Sequence, residues 1–134
     1  MIHSVVDFRG IKVRDVMLRS RKVVALHPTA STQEAMELSA ASGLDRLPIV
    51  PPDGQPAGLV NILDILLDEN GDKPLGNYVR RIVTTTEEEP AYRVVQQLRA
   101  ARLGLAAVVD QKKNLRGIVT IHDLIRRLVC SGSI

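Results

Sequence analysis

The segment GIVTIHD, residues 117–123, sets a glycine, a hydroxyl and a carboxylate three residues apart, where a β-branched run gives way to a helical pattern. Gly117 permits close approach of a backbone, Thr120 falls where strand becomes helix, and Asp123 falls in the first helical turn. A helix start offers unpaired N–H groups and the positive end of a dipole, so the chemistry this spacing suits is anion binding. A phosphate would meet the amides, and ribose hydroxyls would donate to the carboxylate. An earlier segment, GLVNILD at 58–64, repeats the pattern with Asn61 for Thr120 and Asp64 for Asp123. Thr-x-x-Asp at a helix start is also a capping pattern, worth about 0.5–2 kcal/mol with no ligand. Asn61 is an equally good cap, so capping and binding both stand at this point.

Other reactive side chains assemble no further site. His3, His27 and His122 are far apart, with no i, i+4 pair to hold zinc on one helix. His122 lies within the motif and reads as an exposed histidine at a helix start. There is no nucleophile-elbow serine. Cys130, the single cysteine, follows an apolar helix and reads as a small packed or frayed residue; with no CxxC there is no cysteine-based zinc site. The run Glu87-Glu88-Glu89 precedes Pro90 and is read as a helix start favoured by the dipole, not as a metal site. Nothing pairs an acid with a base, so no catalysis is expected.

The elements that must position the motif follow from an internal repeat. A shift of 59 residues puts Arg21 on Arg80, Val24 on Val83, Leu44 on Leu103, Gly58 on Gly117 and Asp64 on Asp123. Each copy begins with a short β-branched run, Val23 to Leu26 or Arg81 to Thr84. A helix follows, opened by the capping-box form Ser31-Thr32-Gln33-Glu34 or by Pro90, and closed at Gly43 or Gly104. Next come a buried strand (47–50 or 105–109), a turn (51–54 or 110–114), a second strand and a closing helix. The order is β-α-β-β-α, twice, an α/β (α+β) chain. Residues 68–74, DENGDKP, read as the linker between a repeat at 13–67 and a repeat at 75–130, with 131–134 as a tail. A unit of about 60 residues buries too little surface to be comfortable alone, so the two copies are expected to pack sheet to sheet around a shared core, with a cleft at the seam.

Composition narrows the classes. The chain has 134 residues, 45% of them hydrophobic, and only Phe8, Tyr78 and Tyr92 are aromatic. Three scattered rings make no stacking platform for single-stranded nucleic acid. A net charge of +3, with basic residues spread along the chain, suits phosphates better than a nucleic-acid surface. No apolar run reaches the roughly 20 residues of a membrane span, and no signal peptide is visible, so the chain reads as soluble and intracellular.

The doubled unit, the passage SGLDRLPIV and the blocks GLVNILD and GIVTIHD together resemble a tandem pair of CBS domains, named after cystathionine β-synthase. The phrases KVRDVM, VVALHPTAS, RLPIV and LAAVVD followed by GIVTIHDL look like the CBS pair of hemolysin C and magnesium/cobalt efflux-type proteins. The opening MIHSVVDFRG resembles the connecting helix, over 1–12, that precedes the pair there. His122 stands where that family usually has an acidic residue.

The resemblance implies a non-catalytic regulatory module that binds an adenine nucleotide (AMP, ADP or ATP, with magnesium as an accompanying ion) in the cleft between repeats. The implied phosphate and ribose contacts are Thr120 and Asp123, with Gly117 beside them. Thr84, Thr85 and Ala107 would hold the base, and Asn61 and Asp64 would form a weaker first-copy site. It further implies a homodimer, and a place on the cytoplasmic side of an upstream transmembrane, ion-transport domain. Nucleic acid is not an expected partner. The competing expectation is a ligand-free dimerisation module of a larger protein.

Overall fold

The computed structural model describes residues 10–19, 23–70 and 73–132. Of the connecting helix expected at 1–12, residues 1–9 lie outside the described residues, and Lys12 forms an isolated bridge to Pro90. The chain divides into two compact units offset from the repeats. One unit comprises Val24–Ile82. The other joins the chain up to Val23 to the chain from Val83 onward.

In the Val24–Ile82 unit, helix α1 (Thr32–Ser42) starts as expected, with Ser31 Oγ accepting from the Glu34 amide at 3.0 Å. It ends at Gly43, whose φ of 76° is the left-handed conformation that glycine tolerates. Strands β2 (Arg46–Ile49) and β3 (Gly58–Asn61) pair antiparallel, joined by the Pro-Pro-Asp-Gly turn. Helix α2 (Ile62–Leu66) follows, and a third strand, β4 (Val79–Arg80), pairs with β3. The strand expected at Val23 to Leu26 is reduced to one parallel bridge, Leu26 with Ile49. Leu47, Ile49 and Val60 face a core shared with Ala35, Ile65, Leu75 and Tyr78. The start of the expected linker is pinned to this core: Asp68 accepts from the Asn70 amide (2.9 Å) and the Tyr78 hydroxyl (2.8 Å), and pairs with Lys73 (3.1 Å).

The other unit holds a four-stranded sheet in the order β1-β7-β6-β5. Its strands are β1 (Leu18–Arg19), β5 (Val83–Thr85), β6 (Leu105–Val109) and β7 (Leu115–Thr120). β5 runs parallel to β6, and β7 is antiparallel to both β6 and β1. Helices α3 (Ala91–Ala101) and α4 (Ile121–Gly132) cover one face. Their buried residues recur at helical spacing, Ala91, Val94 and Leu98 on α3 and Leu124 and Leu128 on α4, over Ala106, Val108 and Val119. Gly104 does not close α3; the left-handed residue is Arg102, with φ of 56°. Each sheet's second face is buried too, at Pro48 and Leu59 in one and at Leu105, Ala107 and Ile118 in the other. Aliphatic and small side chains thus do the packing, in keeping with the few aromatics.

Glycines at matching positions admit the added edge strands. A β-carbon on Gly117 would strike the carbonyl oxygen of Leu18 and the terminal methyl of Met17, and one on Gly58 would sit 2.5 Å from a Val79 methyl. Gly117→Ala is therefore expected to cost about 1–3 kcal/mol through overpacking, read as a lower urea midpoint at unchanged slope. A loss below about 0.5 kcal/mol would show that the edge strand yields easily. The Asp68 carboxyl is held below the ordinary aspartate range first by the Asn70 amide, then by the Tyr78 hydroxyl and Lys73. Its stabilising contribution is complete above the unfolded-state pKa and disappears as pH falls through the depressed folded-state value. The stability gap between the parent and Asp68→Asn is accordingly expected to close in acid below about pH 4, measured by denaturation across pH.

Candidate functional site

Strand register decides which candidate residues share a surface, because cross-strand partners point to the same face. Thr84, Ala107 and Ile118 form one row across β5, β6 and β7. Thr120 is paired with Leu105 and lies two residues beyond Ile118, so it is on that same face. Thr84 is exposed, Thr120 is half-buried and Asp123 is exposed. These residues, together with Ala107, are the part of the expected site that is brought onto one sheet face and its adjoining helix start.

Two other candidates are placed differently. Thr85 pairs with Val108 and so points to the helix-covered face, where it is 7% exposed. Its hydroxyl is buried with no hydrogen-bond partner among the described residues. Gly117, expected to admit a ligand, is closed over by Leu18 and Met17 of the chain itself. The close approach it permits is made by β1.

At the motif, Thr120 Oγ1 accepts from the Asp123 amide at 3.0 Å, so the capping expectation holds in the second copy. The oxygen's own proton is still available to donate. The Asp123 carboxylate has no partner among the described residues. His122 is exposed, and its Nε2 lies 2.7 Å from Arg126 Nη2. A guanidinium can only donate, so Nε2 is the acceptor of this contact. A cation and an exposed imidazole therefore sit on the first turns of α4, near an open carboxylate.

The first copy is arranged otherwise. Asn61 caps α2 by accepting from the Leu63 amide at 3.0 Å. Asp64 is taken up by Arg80 through two hydrogen bonds of 2.8 Å, from Nε to Oδ2 and from Nη2 to Oδ1. This fork geometry is the strongest form of such a pair. Arg80 stands opposite Leu59 on β4, and the residue opposite the matching Ile118 is Leu18, which has no charge to offer Asp123. The motifs are alike in sequence and unlike in availability. Arg80 was missed as a partner of Asp64 because the 59-residue shift aligns it with Arg21 rather than with Leu18.

The second-copy unit also has a cleft of about 530 Å³, lined by Thr86, Glu87, Glu88, Asp110 and Arg116 among others. It lies at the far end of the sheet from Thr120, and its carboxylates outnumber its cation, which disfavours a phosphate. Glu87 and Glu88 do not serve the start of α3 as expected; they pair with Lys12, Arg14 and Arg19. No cluster of three or more His, Cys, Asp or Glu suited to a metal occurs among the described residues, and no helix among them is long and apolar enough to cross a membrane.

The doubled unit and its motif at each strand-to-helix passage define a CBS pair. The chain belongs to the CBS domain family, which matches residues 13–71 and 75–130. Among curated proteins it is similar to the magnesium and cobalt efflux protein CorC of Pasteurella multocida, 26% identical over 133 residues. That match covers 96% of this chain and 44% of the relative, so the chain spans less than half the relative's length. Among solved structures it is similar to the CBS domain of a bacterial CNNM/CorC family Mg2+ transporter in complex with ATP. The identity is 23%, the TM-score 0.84, and the coverage 99% of this chain and 96% of that one. The CBS domain pair of protein MJ0100, in complex with 5'-methylthioadenosine and S-adenosyl-L-methionine, is 25% identical with a TM-score of 0.80, covering 90% of this chain and 97% of that one.

Removing the cap separates its structural role from any other. Thr120→Ala is expected to destabilise the chain by about 1 kcal/mol, and Thr120→Ser, which keeps the hydroxyl, by much less. Denaturant unfolding of both variants measures this; equal losses would mean that the methyl group, not the cap, matters.

Proposed function

We propose that the chain is a non-catalytic regulatory module that binds one adenine nucleotide, AMP, ADP or ATP, at the second-copy motif. The observation that carries this reading is the Asp123 carboxylate, without a partner among the described residues and held beside the Thr120 hydroxyl at the start of a twelve-residue helix, while its counterpart Asp64 is consumed by Arg80. In the bound state the Asp123 carboxylate accepts from the ribose hydroxyls, the first-turn amides of α4 meet a phosphate, and the base lies beside the exposed Thr84. Adenosine is the group common to the two ligands named for the MJ0100 structure, which supports this class of ligand. Magnesium enters on the nucleotide's phosphates.

The matching efflux protein supports a place for the module on the cytoplasmic side of an upstream ion-transport domain, whose activity nucleotide occupancy would bias. Exposed apolar residues on the closing helices, Leu66 and Leu67 after one motif and Ile125 and Val129 after the other, support association as a homodimer. The same residues favour the second reading, a ligand-free dimerisation module.

Titration with AMP, ADP and ATP, with and without magnesium, followed by melting temperature, separates the two readings. Ligand at 100 times its Kd stabilises by about 2.7 kcal/mol. Asp123→Ala is expected to weaken binding about tenfold or more, as loss of a hydrogen bond to a charged group costs about 1.5–3 kcal/mol, and Asp64→Ala to leave it nearly unchanged. No shift at millimolar nucleotide would sink the nucleotide reading, and sedimentation at a dimer's mass would then leave the dimerisation module standing.

A further inference from the structure

We infer that Arg126, held over the first turn of α4 by His122, gives the second-copy site a preference for nucleoside di- and triphosphates over AMP and lets it bind them without magnesium. This rests on the nucleotide reading above and narrows it to a ligand class.

The backbone at this helix start can serve one phosphate and little more. The Ile121 N–H already donates to the Gly104 carbonyl (2.9 Å), and the Asp123 N–H donates to Thr120 Oγ1 (3.0 Å). Between these two, the His122 amide is left. A second or third phosphate therefore needs a side-chain cation, the more so because the exposed Asp123 carboxylate repels it.

Arg126 is that cation. Helical side chains lean toward the N-terminus, and Nη2 of Arg126 lies 2.7 Å from Nε2 of His122, so the guanidinium stands level with the first turn. Both residues are exposed, whereas Leu124 and Leu128 bury the opposite side of α4. With Nε2 accepting, His122 acts by holding the guanidinium, as a positioning residue. One N–H is spent on that contact. Arg126 makes no ion pair among the described residues, so its remaining N–H groups can meet phosphate oxygens in the paired geometry that arginine favours.

The repeat puts this pair in one copy. At the 59-residue shift His122 and Arg126 fall on Leu63 and Leu67, which are exposed and apolar. The cation and its holder thus accompany the carboxylate that is open, not the one that Arg80 engages. Magnesium, when it enters, competes with Arg126 for the same oxygens and is not required.

Calorimetric titration of the intact chain with AMP and ATP, first in a chelator and then with magnesium, tests this. ATP is expected to bind the parent chain in the chelator, more tightly than AMP, and to gain no affinity from magnesium. Arg126→Ala is expected to lower the ATP-to-AMP affinity ratio about tenfold or more, as loss of a hydrogen bond to a charged group does. Arg127→Ala removes the same charge one residue on and is expected to lower the ratio by less than about threefold, as an unplaced surface charge does. His122→Ala lowers the ratio too, and His122→Gln, whose amide oxygen can accept from Arg126, restores most of it. Equal losses for AMP and ATP in Arg126→Ala, equal effects of the Arg126 and Arg127 variants, or a requirement for magnesium would each overturn the inference while leaving a nucleotide site standing. Binding of neither nucleotide, with or without magnesium, overturns the nucleotide reading and this inference with it.

Discussion

Two missing β-carbons determine how each sheet is completed. Gly58 and Gly117 open a strand on the side where another strand must lie, and in both units a two-residue strand occupies that side. The strand that completes each sheet comes from the opening residues of the other repeat: β1 precedes the first repeat's helix and joins β7, and β4 precedes the second's and joins β3. The compact units are therefore offset from the repeats. Cores, connections and the surroundings of each motif follow from this exchange.

The exchange also makes two similar motifs chemically unequal. The residue facing the β3 or β7 strand two positions before the capping residue is arginine in one unit and leucine in the other. Arg80 forms a fork with Asp64, whereas Leu18 leaves Asp123 open to solvent. An exposed pair such as Arg80 and Asp64 contributes modestly to stability. Its larger effect is on occupancy, since a carboxylate already holding two N–H donors has less to offer a hydroxyl. One substitution on an edge strand, outside the motif, thus leaves one carboxylate engaged and the other exposed.

Much of this was legible in the residues. Local chemistry gave the helix starts at Ser31 and Pro90, the left-handed stop at Gly43, the two turns and the buried strands, because capping, turn and packing signals act over a few positions. The repeat located both motifs, and the family likeness gave the fold of a doubled α/β unit. What could not be read were long-range pairings. Strands of two residues carry no periodicity, so β1 and β4 left no signal, and the register that puts Leu18 opposite Ile118 runs out of step with the 59-residue shift. For the same reason Arg80 was invisible as a partner of Asp64. The division of Thr84 and Thr85 between two faces needed the parallel pairing with β6, which depends on tertiary structure. Arg102 rather than Gly104 in the left-handed position is another such case: the Leu98 carbonyl receives the Leu103 amide, and the chain turns before the glycine is reached.

A chain whose halves each borrow an edge from the other cannot be cut cleanly at its apparent seam. A fragment carrying only residues 13–71 would keep β3 but lack β4, and one carrying only 75–130 would keep β7 but lack β1. Each would leave a bare line of N–H and C=O groups beside a glycine shaped to receive a strand. Such an open edge recruits whatever extended chain is nearest, including another copy of itself. The likeness of the two repeats supplies the wrong strand as readily as the right one. Trading of strands between molecules is thus the characteristic hazard of handling either half alone, and keeping both repeats on one polypeptide suppresses it by proximity.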